Sequence, residues 1–303
     1  MALPAYASIP ERIWHYTFKV LCGLIFLFLI APILIIIPLS FNVEPYFTFT
    51  QGMLSFDPDA YSTRWYEDIV RNGMAAPDAE FGMAWWTDMW NNAQWVRSAR
   101  NSFFIAGLAT LLATTLGTIA ALGLSRSEMP FRGLIMGILI SPMIVPLIIT
   151  ATGMFFFYSQ IGIAKTYFGI IVGHATLGTP FVIITVTATL AGFDHSLTRA
   201  AANLGASPPR VFFKVIMPLI MPGMISGALF AFITSLDEVV LVLFLSDIEQ
   251  RTIPRQMWSG IREQISPTIL AVATILVLIS VVLLTVLELL RRRSERLRGL
   301  SPG

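Results

Sequence analysis

Six stretches of this chain stay apolar for about the length of a membrane-crossing helix, and no other feature limits its fold as strongly. A helix needs about 20 residues to cross the roughly 30 Å hydrocarbon core of a bilayer. Composition agrees: 55% of the 303 residues are hydrophobic and 13% charged, whereas soluble domains carry about a quarter charged. The runs predict an all-α integral membrane protein with six transmembrane helices, at about 18–41, 102–124, 134–157, 167–191, 219–245 and 267–290, in one transmembrane domain spanning 1–303. The first run has a basic flank, but it is too long for a signal peptide and lacks a small-residue cleavage site. It is expected to be a retained helix.

Net charge, +2, says little about partners; the placement of the charges says more. Arg12 and Lys19 precede the first run, Arg126 and Arg132 separate the second and third, and Arg199, Arg210 and Lys214 separate the fourth and fifth. Arg291, Arg292, Arg293, Arg296 and Arg298 follow the sixth. Basic residues mark the cytoplasmic side, so both termini and the connection 192–218 are expected there. Cys22 is alone and excludes an internal disulfide, and no Cys/His spacing suggests a metal site.

On the opposite side the connection 42–101 is long, rich in acids and rich in tryptophan, Trp85 and Trp86 among them. Loops of this length usually have a function. Two readings coexist: an amphipathic helix at headgroup level, and a docking surface for a partner outside the cytoplasm. Arg255 and Arg262, in the connection 246–266, are read either as contacts to such a partner or as solvated charges.

Small residues recur every fourth position in the second run (Ala109, Ala113, Gly117, Ala121) and in the fifth (Gly223, Gly227, Ala231, Ser235). Such stripes let backbones come close, either within the bundle or at a seam with a second membrane subunit. Pro142 and Pro146 in the third run, and Pro218 and Pro222 in the fifth, predict kinks.

The connection 192–218 reads as two short helices joined at Gly205. Ala200, Ala201 and Ala202 favour the first, Gly205 ends it in a left-handed turn, and Ser207 followed by Pro208 starts the second. Val211, Phe212, Val215 and Ile216 turn the second helix toward the bundle.

Asp237 and Glu238 lie inside the fifth apolar run. A carboxylate at mid-membrane costs roughly 2.5–3.5 kcal/mol unless it meets water or a cation. Neighbouring helix positions point about 100° apart. Asp237, Glu238 and Ser235 are therefore assigned to a pathway for a cationic group, with Asp237 facing it and Glu238 nearer an inter-helix contact. A structural pairing of these acids is the competing reading. His174, within the fourth run, is expected to be neutral and bonded to a neighbouring carbonyl.

The run from Arg199 through Ala200, Ala201 and Gly205 to Val215, Met217 and Pro218 resembles the E-A-A-x3-G-x9-I-x-L-P loop of permease subunits of type I ATP-binding-cassette importers. Further likeness lies in Asn101-Ser102, in Ser235-Leu236-Asp237-Glu238-Val239-Val240, in Met257-Trp258-Ser259-Gly260-Ile261-Arg262 and in Ser266-Pro267-Thr268-Ile269. Together these look most like the second permease of spermidine/putrescine-type uptake systems.

The resemblance implies a bacterial inner-membrane complex: a second permease of different sequence, two ATPase subunits, and a periplasmic binding protein that delivers solute, with no nucleic acid involved. It implies that Arg199, Ala200, Ala201, Asn203, Leu204, Gly205, Ala206, Ser207 and Pro218 couple to the ATPase, and that Trp85, Trp86, Arg255 and Arg262 face the binding protein. No catalytic residue or cofactor is expected in this chain. It has no G-x4-G-K-[ST] phosphate loop, so ATP and Mg²⁺ belong to the partner ATPases. Arg199 stands where the family has glutamate, which removes a salt bridge that glutamate would make.

Other solutes, such as 4-aminobutyrate, an opine or an inorganic ion, fit the same class. An ion-coupled secondary carrier would show internal repeats, and none is evident. An intramembrane serine protease would need a serine near His174, and Ser207 belongs to the connection 192–218.

Overall fold

A computed structural model of the chain describes residues 8–126, 128–194, 196–263 and 266–297. The arginine cluster 291–298 lies outside the described side chains, and Arg298 outside the described residues. In chain order the helices are α1 (Ile9–Leu39), α2 (Gln51–Leu54), α3 (Arg64–Arg71), α4 (Met83–Asn92), α5 (Gln94–Leu124), α6 (Arg132–Ile144) and α7 (Leu147–Gln160). They continue with α8 (Tyr167–Ala191), α9 (Ser196–Asn203), α10 (Pro208–Val211), α11 (Met217–Asp237), α12 (Val240–Leu245), α13 (Ile253–Glu263) and α14 (Thr268–Leu297). Among the described residues no strand forms; Asn42 and Tyr61 make an isolated antiparallel bridge.

All six apolar runs become helical, but two of them are broken. Four helices are long and apolar enough to cross a membrane: α1, α5, α8 and the continuous helix Pro208–Asp237. The third run splits into α6 and α7, bent by 101°, and adds a fifth span if the pair is taken as one. Pro142 is absorbed inside α6, whereas Pro146 breaks the run. Proline disfavours helical backbone in the residue before it, and Val145 is extended, with ψ 136°. The fifth run stops at Asp237, because Glu238 is extended, with ψ 119°. The Leu241 N–H donates to Glu238 Oε1 at 2.8 Å, so Glu238 serves the start of α12. In α14 the described apolar stretch is Thr268–Val282.

The chain forms two compact units, Met1–Asn72 with Gly260–Gly303, and Gly73–Ser259. In the first, α14 packs against α1 and α3. The first part of the long connection is built around Asn42, which is fully buried. Its Nδ2 donates to the carbonyls of Tyr46 and Thr48 at 3.1 and 2.9 Å, and its own carbonyl accepts from Trp65 Nε1 at 2.7 Å. Thr268 Oγ1 donates to Asp68 at 2.6 Å, tying α3 to the start of α14.

In the second unit α8 packs between α5 and α11. Both small-residue stripes are used here. A Cβ on Gly178 would lie 2.9 Å from the Ala231 Cβ and 3.3 Å from the Ala113 Cβ, so one α8 glycine faces both stripes. A Cβ on Gly117 would lie 2.6 Å from the Val182 Cβ, and one on Gly227 2.7 Å from the Val182 Cα. The stripes are thus packing surfaces inside this unit and not a seam with another subunit.

Two apolar clusters fill the unit. One joins the Leu124 end of α5 to α8 and α11, through Ala113, Val182, Val186 and Ile220. The other joins Ile105 of α5, Ala151 and Tyr158 of α7, Ile170 and Leu177 of α8, and Leu241, Val242 and Leu245 of α12. The broken pieces α7 and α12 therefore belong to the same cluster.

Candidate functional site

At one end of the second unit the connection 192–218 forms the expected pair of short helices. The Asp194 carboxylate accepts from the Ser196 N–H and hydroxyl at 2.8 and 2.7 Å, which starts α9. The helix ends at Gly205, whose φ is +80°. The Gly205 N–H donates to the Ala202 carbonyl at 2.9 Å and the Ala206 N–H to the Ala201 carbonyl at 3.1 Å. These two bonds define a Schellman turn, which needs a left-handed residue at the glycine position. Ser207 occupies the N-cap position and Pro208 the first position of α10, but the serine side chain makes no capping hydrogen bond; Pro209, at the second position, lacks one of the two N–H groups that a cap would serve.

The turn puts Leu204 at a tip, 89% exposed. Arg199, Ala200, Asn203, Gly205 and Ser207 are exposed beside it, while Ala201 and Ala206 are half-buried. Val211 is buried, Phe212, Val215 and Ile216 are half-buried, and Ile216 packs on the first cluster. A π-helical turn, Phe212–Ile216, joins α10 to α11 just before Pro218. Pro218 cannot donate to the Lys214 carbonyl and crowds it, and a widened turn relieves both defects. The second short helix therefore runs without a break into α11, a lever of 30 residues from Pro208 to Asp237.

At the far end of that lever, Asp237 is exposed and Glu238 is buried, 7% exposed. Ser235, expected on the same pathway, is turned away: it is 5% exposed, and its hydroxyl meets His174 Nδ1 at 2.7 Å. His174 is thus bonded to a hydroxyl and not to the carbonyl expected. His174 Nε2 is buried with no hydrogen-bond partner among the described residues. Leaving a buried polar group unpaired costs about 1–3 kcal/mol. Asp237 and Glu238 part because the helix ends between them and Glu238 turns in to serve α12; the pairing with His174 needed the fold.

Beyond α12, the chain is held down by Asn101 and Ser102, which the sequence marks only through the family resemblance. Asn101 Nδ2 donates to the carbonyls of Glu249 and Arg251 at 2.7 and 2.9 Å, and its Oδ1 accepts from Tyr167 at 3.0 Å. Ser102 Oγ accepts the Ile253 N–H at 2.8 Å. Polar side chains at the mouth of an apolar run are the available signal; their backbone partners are about 150 positions away and invisible to local reading. Lys165 and Asp247 approach to 3.9 Å nearby. Arg255 Nη1 donates to the Val242 carbonyl at 3.2 Å, at the end of α12, a favourable place for a cation. Arg262 is exposed.

The tryptophan pair divides. Trp85 is 5% exposed, and its Nε1 donates to the Pro77 carbonyl at 3.3 Å; it cannot present its ring to a partner. Trp86 is 56% exposed and Trp90 52% exposed. The loop before α4 hangs on Asp88, whose carboxylate accepts from the amides of Ala75 and Ala76 and from Asn92 Nδ2, at 3.2, 2.9 and 2.6 Å. The Asn92 bond, then the two amides, hold this carboxyl below the ordinary aspartate value of 3.8. A lowered folded-state pKa gives stabilisation that is present above the unfolded value and disappears as pH falls through the folded one. Acidification below about pH 4 is therefore expected to raise amide hydrogen exchange at Ala75 and Ala76 beyond the intrinsic change. Asp88→Asn should abolish that pH dependence, and its persistence in the variant would assign it elsewhere.

The chain has relatives among known proteins. The family described as "binding-protein-dependent transport system inner membrane component" matches residues 113–297. The chain is similar to the spermidine/putrescine transport system permease protein PotC of Haemophilus influenzae, at 30% identity over 241 residues, covering 80% of this chain and 89% of that protein. It is similar to the putrescine transport system permease protein PotI of Escherichia coli K12, at 32% identity over 259 residues, covering 83% of this chain and 82% of that protein. It also superposes on a solved structure of a bacterial ABC transporter involved in the import of the acidic polysaccharide alginate. That match has a TM-score of 0.68 at 17% identity and covers 94% of this chain and 99% of the other. At such identity the last likeness is one of fold.

Proposed function

We infer, from a chain that belongs to the family of inner-membrane components of binding-protein-dependent transport systems, that it forms half of an ATP-driven import pathway for a small amine-bearing solute. A polyamine such as putrescine or spermidine is the favoured cargo. The observation that carries the cargo class is the end of α11. A helix C-terminus bears about half a negative charge, and here it coincides with the exposed carboxylate of Asp237 inside an apolar run. Two negative sources at one place in hydrocarbon favour a cation, as at the half-helix ends of other transporters. The relatives named for spermidine and putrescine point the same way.

The other half of the pathway is a second permease. Two ATPase subunits bind ATP and Mg²⁺ and grip α9, Leu204 and Gly205 from the cytoplasm, where both termini also lie. A binding protein delivers solute to the opposite face, near Trp86 and Arg255. Closure of the ATPase pair displaces the Gly205 turn, and the helix Pro208–Asp237 carries the displacement to Asp237 as a rigid body.

The test is the complete complex in proteoliposomes, with the binding protein loaded in turn with putrescine, spermidine, 4-aminobutyrate or a sugar. Polyamine-loaded binding protein is expected to stimulate ATP hydrolysis and uptake. Asp237→Asn should lower polyamine uptake about tenfold or more, as expected for loss of one charge-assisted hydrogen bond. Stimulation by the sugar alone, or unchanged uptake in Asp237→Asn, would refute the cargo assignment.

A further inference from the structure

The two apolar clusters of the second unit meet at one turn of α8. On one side of this turn a Cβ on Gly178 would lie 2.9 Å from the Ala231 Cβ of α11. On the other a Cβ on Gly173 would lie 2.6 Å from Leu241 Cδ2 of α12. His174 stands between these contacts, 2% exposed, and bonds Ser235 two positions before the end of α11.

We propose that the His174–Ser235 hydrogen bond is a latch: it sets the resting position of the helix Pro208–Asp237 against α8, positions Asp237, and is released when the lever is driven. The proposal rests on the importer reading above. Three features support it. Gly178, Gly223 and Gly227 bring α8 and α11 close, and Val182 and the stacked Phe181–Phe230 pair set their separation. A directional bond there determines register. The ring leaves Nε2 unpaired among the described residues, although buried polar groups are nearly always bonded, so stability alone is a poor reason to keep it. The chain also breaks one residue past Asp237, where Glu238 serves α12, so the lever and α12 are separate bodies at that level.

His174→Met fills the site without a polar group, and the Ser235 hydroxyl can bond back to its own helix. In the complete complex the variant is expected to accumulate and melt like the wild type. Its basal ATP hydrolysis should rise about fivefold, as removal of one hydrogen bond from the resting state implies, with stimulation by loaded binding protein reduced accordingly. Ser235→Ala should match it, the double variant should be no worse than either single, and His174→Asn should recover coupling. Wild-type stimulation ratios in both singles, effects that multiply in the double variant, or lower melting temperature with an unchanged ratio would overturn the latch.

If the wild-type complex itself responds to no loaded binding protein, the importer reading fails, and the latch is read separately. Spin labels at Ile184→Cys and Ile225→Cys, both positions exposed, in a Cys22→Ser background should give a narrow distance distribution that broadens in His174→Met. An unchanged width would overturn the latch on that ground alone.

Discussion

Gly227→Val is expected to keep the permease from accumulating in the membrane. A first added carbon would already lie 2.5 Å from Thr185 Oγ1 and 2.7 Å from the Val182 Cα. The second of these is backbone and cannot rotate away, so α8 and α11 must separate. Overpacking by about one methylene typically costs 1–3 kcal/mol, and valine adds three carbons. Separation would also open the Gly178–Ala231 contact one turn away. A loss of about 3 kcal/mol or more is a large fraction of the stability of an ordinary domain. The measurement is the amount of folded protein in detergent extract, by fluorescence-detected size exclusion. Gly107→Val is the control, because a Cβ at Gly107 meets nothing within 4 Å. Equal yields of the two variants would contradict the packing described for α8.

Leu204→Asp should do the opposite, leaving the fold intact and removing the function. Leu204 is 89% exposed, so little in the chain depends on its side chain. If the ATPase covers it, the leucine contributes about 1.5–3 kcal/mol of buried apolar surface. An aspartate there would add the cost of desolvating an unpaired charge. Together these correspond to at least about a hundredfold weaker docking. The permease should reach wild-type levels while co-purification of the ATPase and solute uptake are lost. Normal uptake with this variant would place the ATPase contact away from the Gly205 turn.

Local chemistry that recurs at short range was legible in the sequence. Gly205, Ser207 and Pro208 announce the two short helices because a left-handed turn and a helix start each depend on one or two residues. The apolar runs announce the spans because hydrocarbon thickness is a fixed length. What stayed hidden depends on partners far along the chain. Apolarity is blind to the break at Glu238, since Val239–Leu245 is as apolar as what precedes it; the break is visible only through the Leu241 amide that Glu238 serves. The third run shows the same limit. Pro146 marks a kink, but whether a kink becomes a 101° bend depends on where α7 finds its neighbours. Trp85 and Trp86 are indistinguishable by composition, and only the fold buries one and exposes the other.

Because Gly117, Gly178, Gly223 and Gly227 are spent around α8, the outward side of α11 is left with Leu219, Ile225, Leu229 and Ile233, all exposed. Whatever neighbour lies along that flank meets a brush of branched aliphatic tips rather than a smooth backbone track. Such a joint gains less from any single alignment, so a companion helix there can shift by part of a turn without losing a unique fit. Tight seating is reserved for the interior, and tolerance of movement is built into the rim.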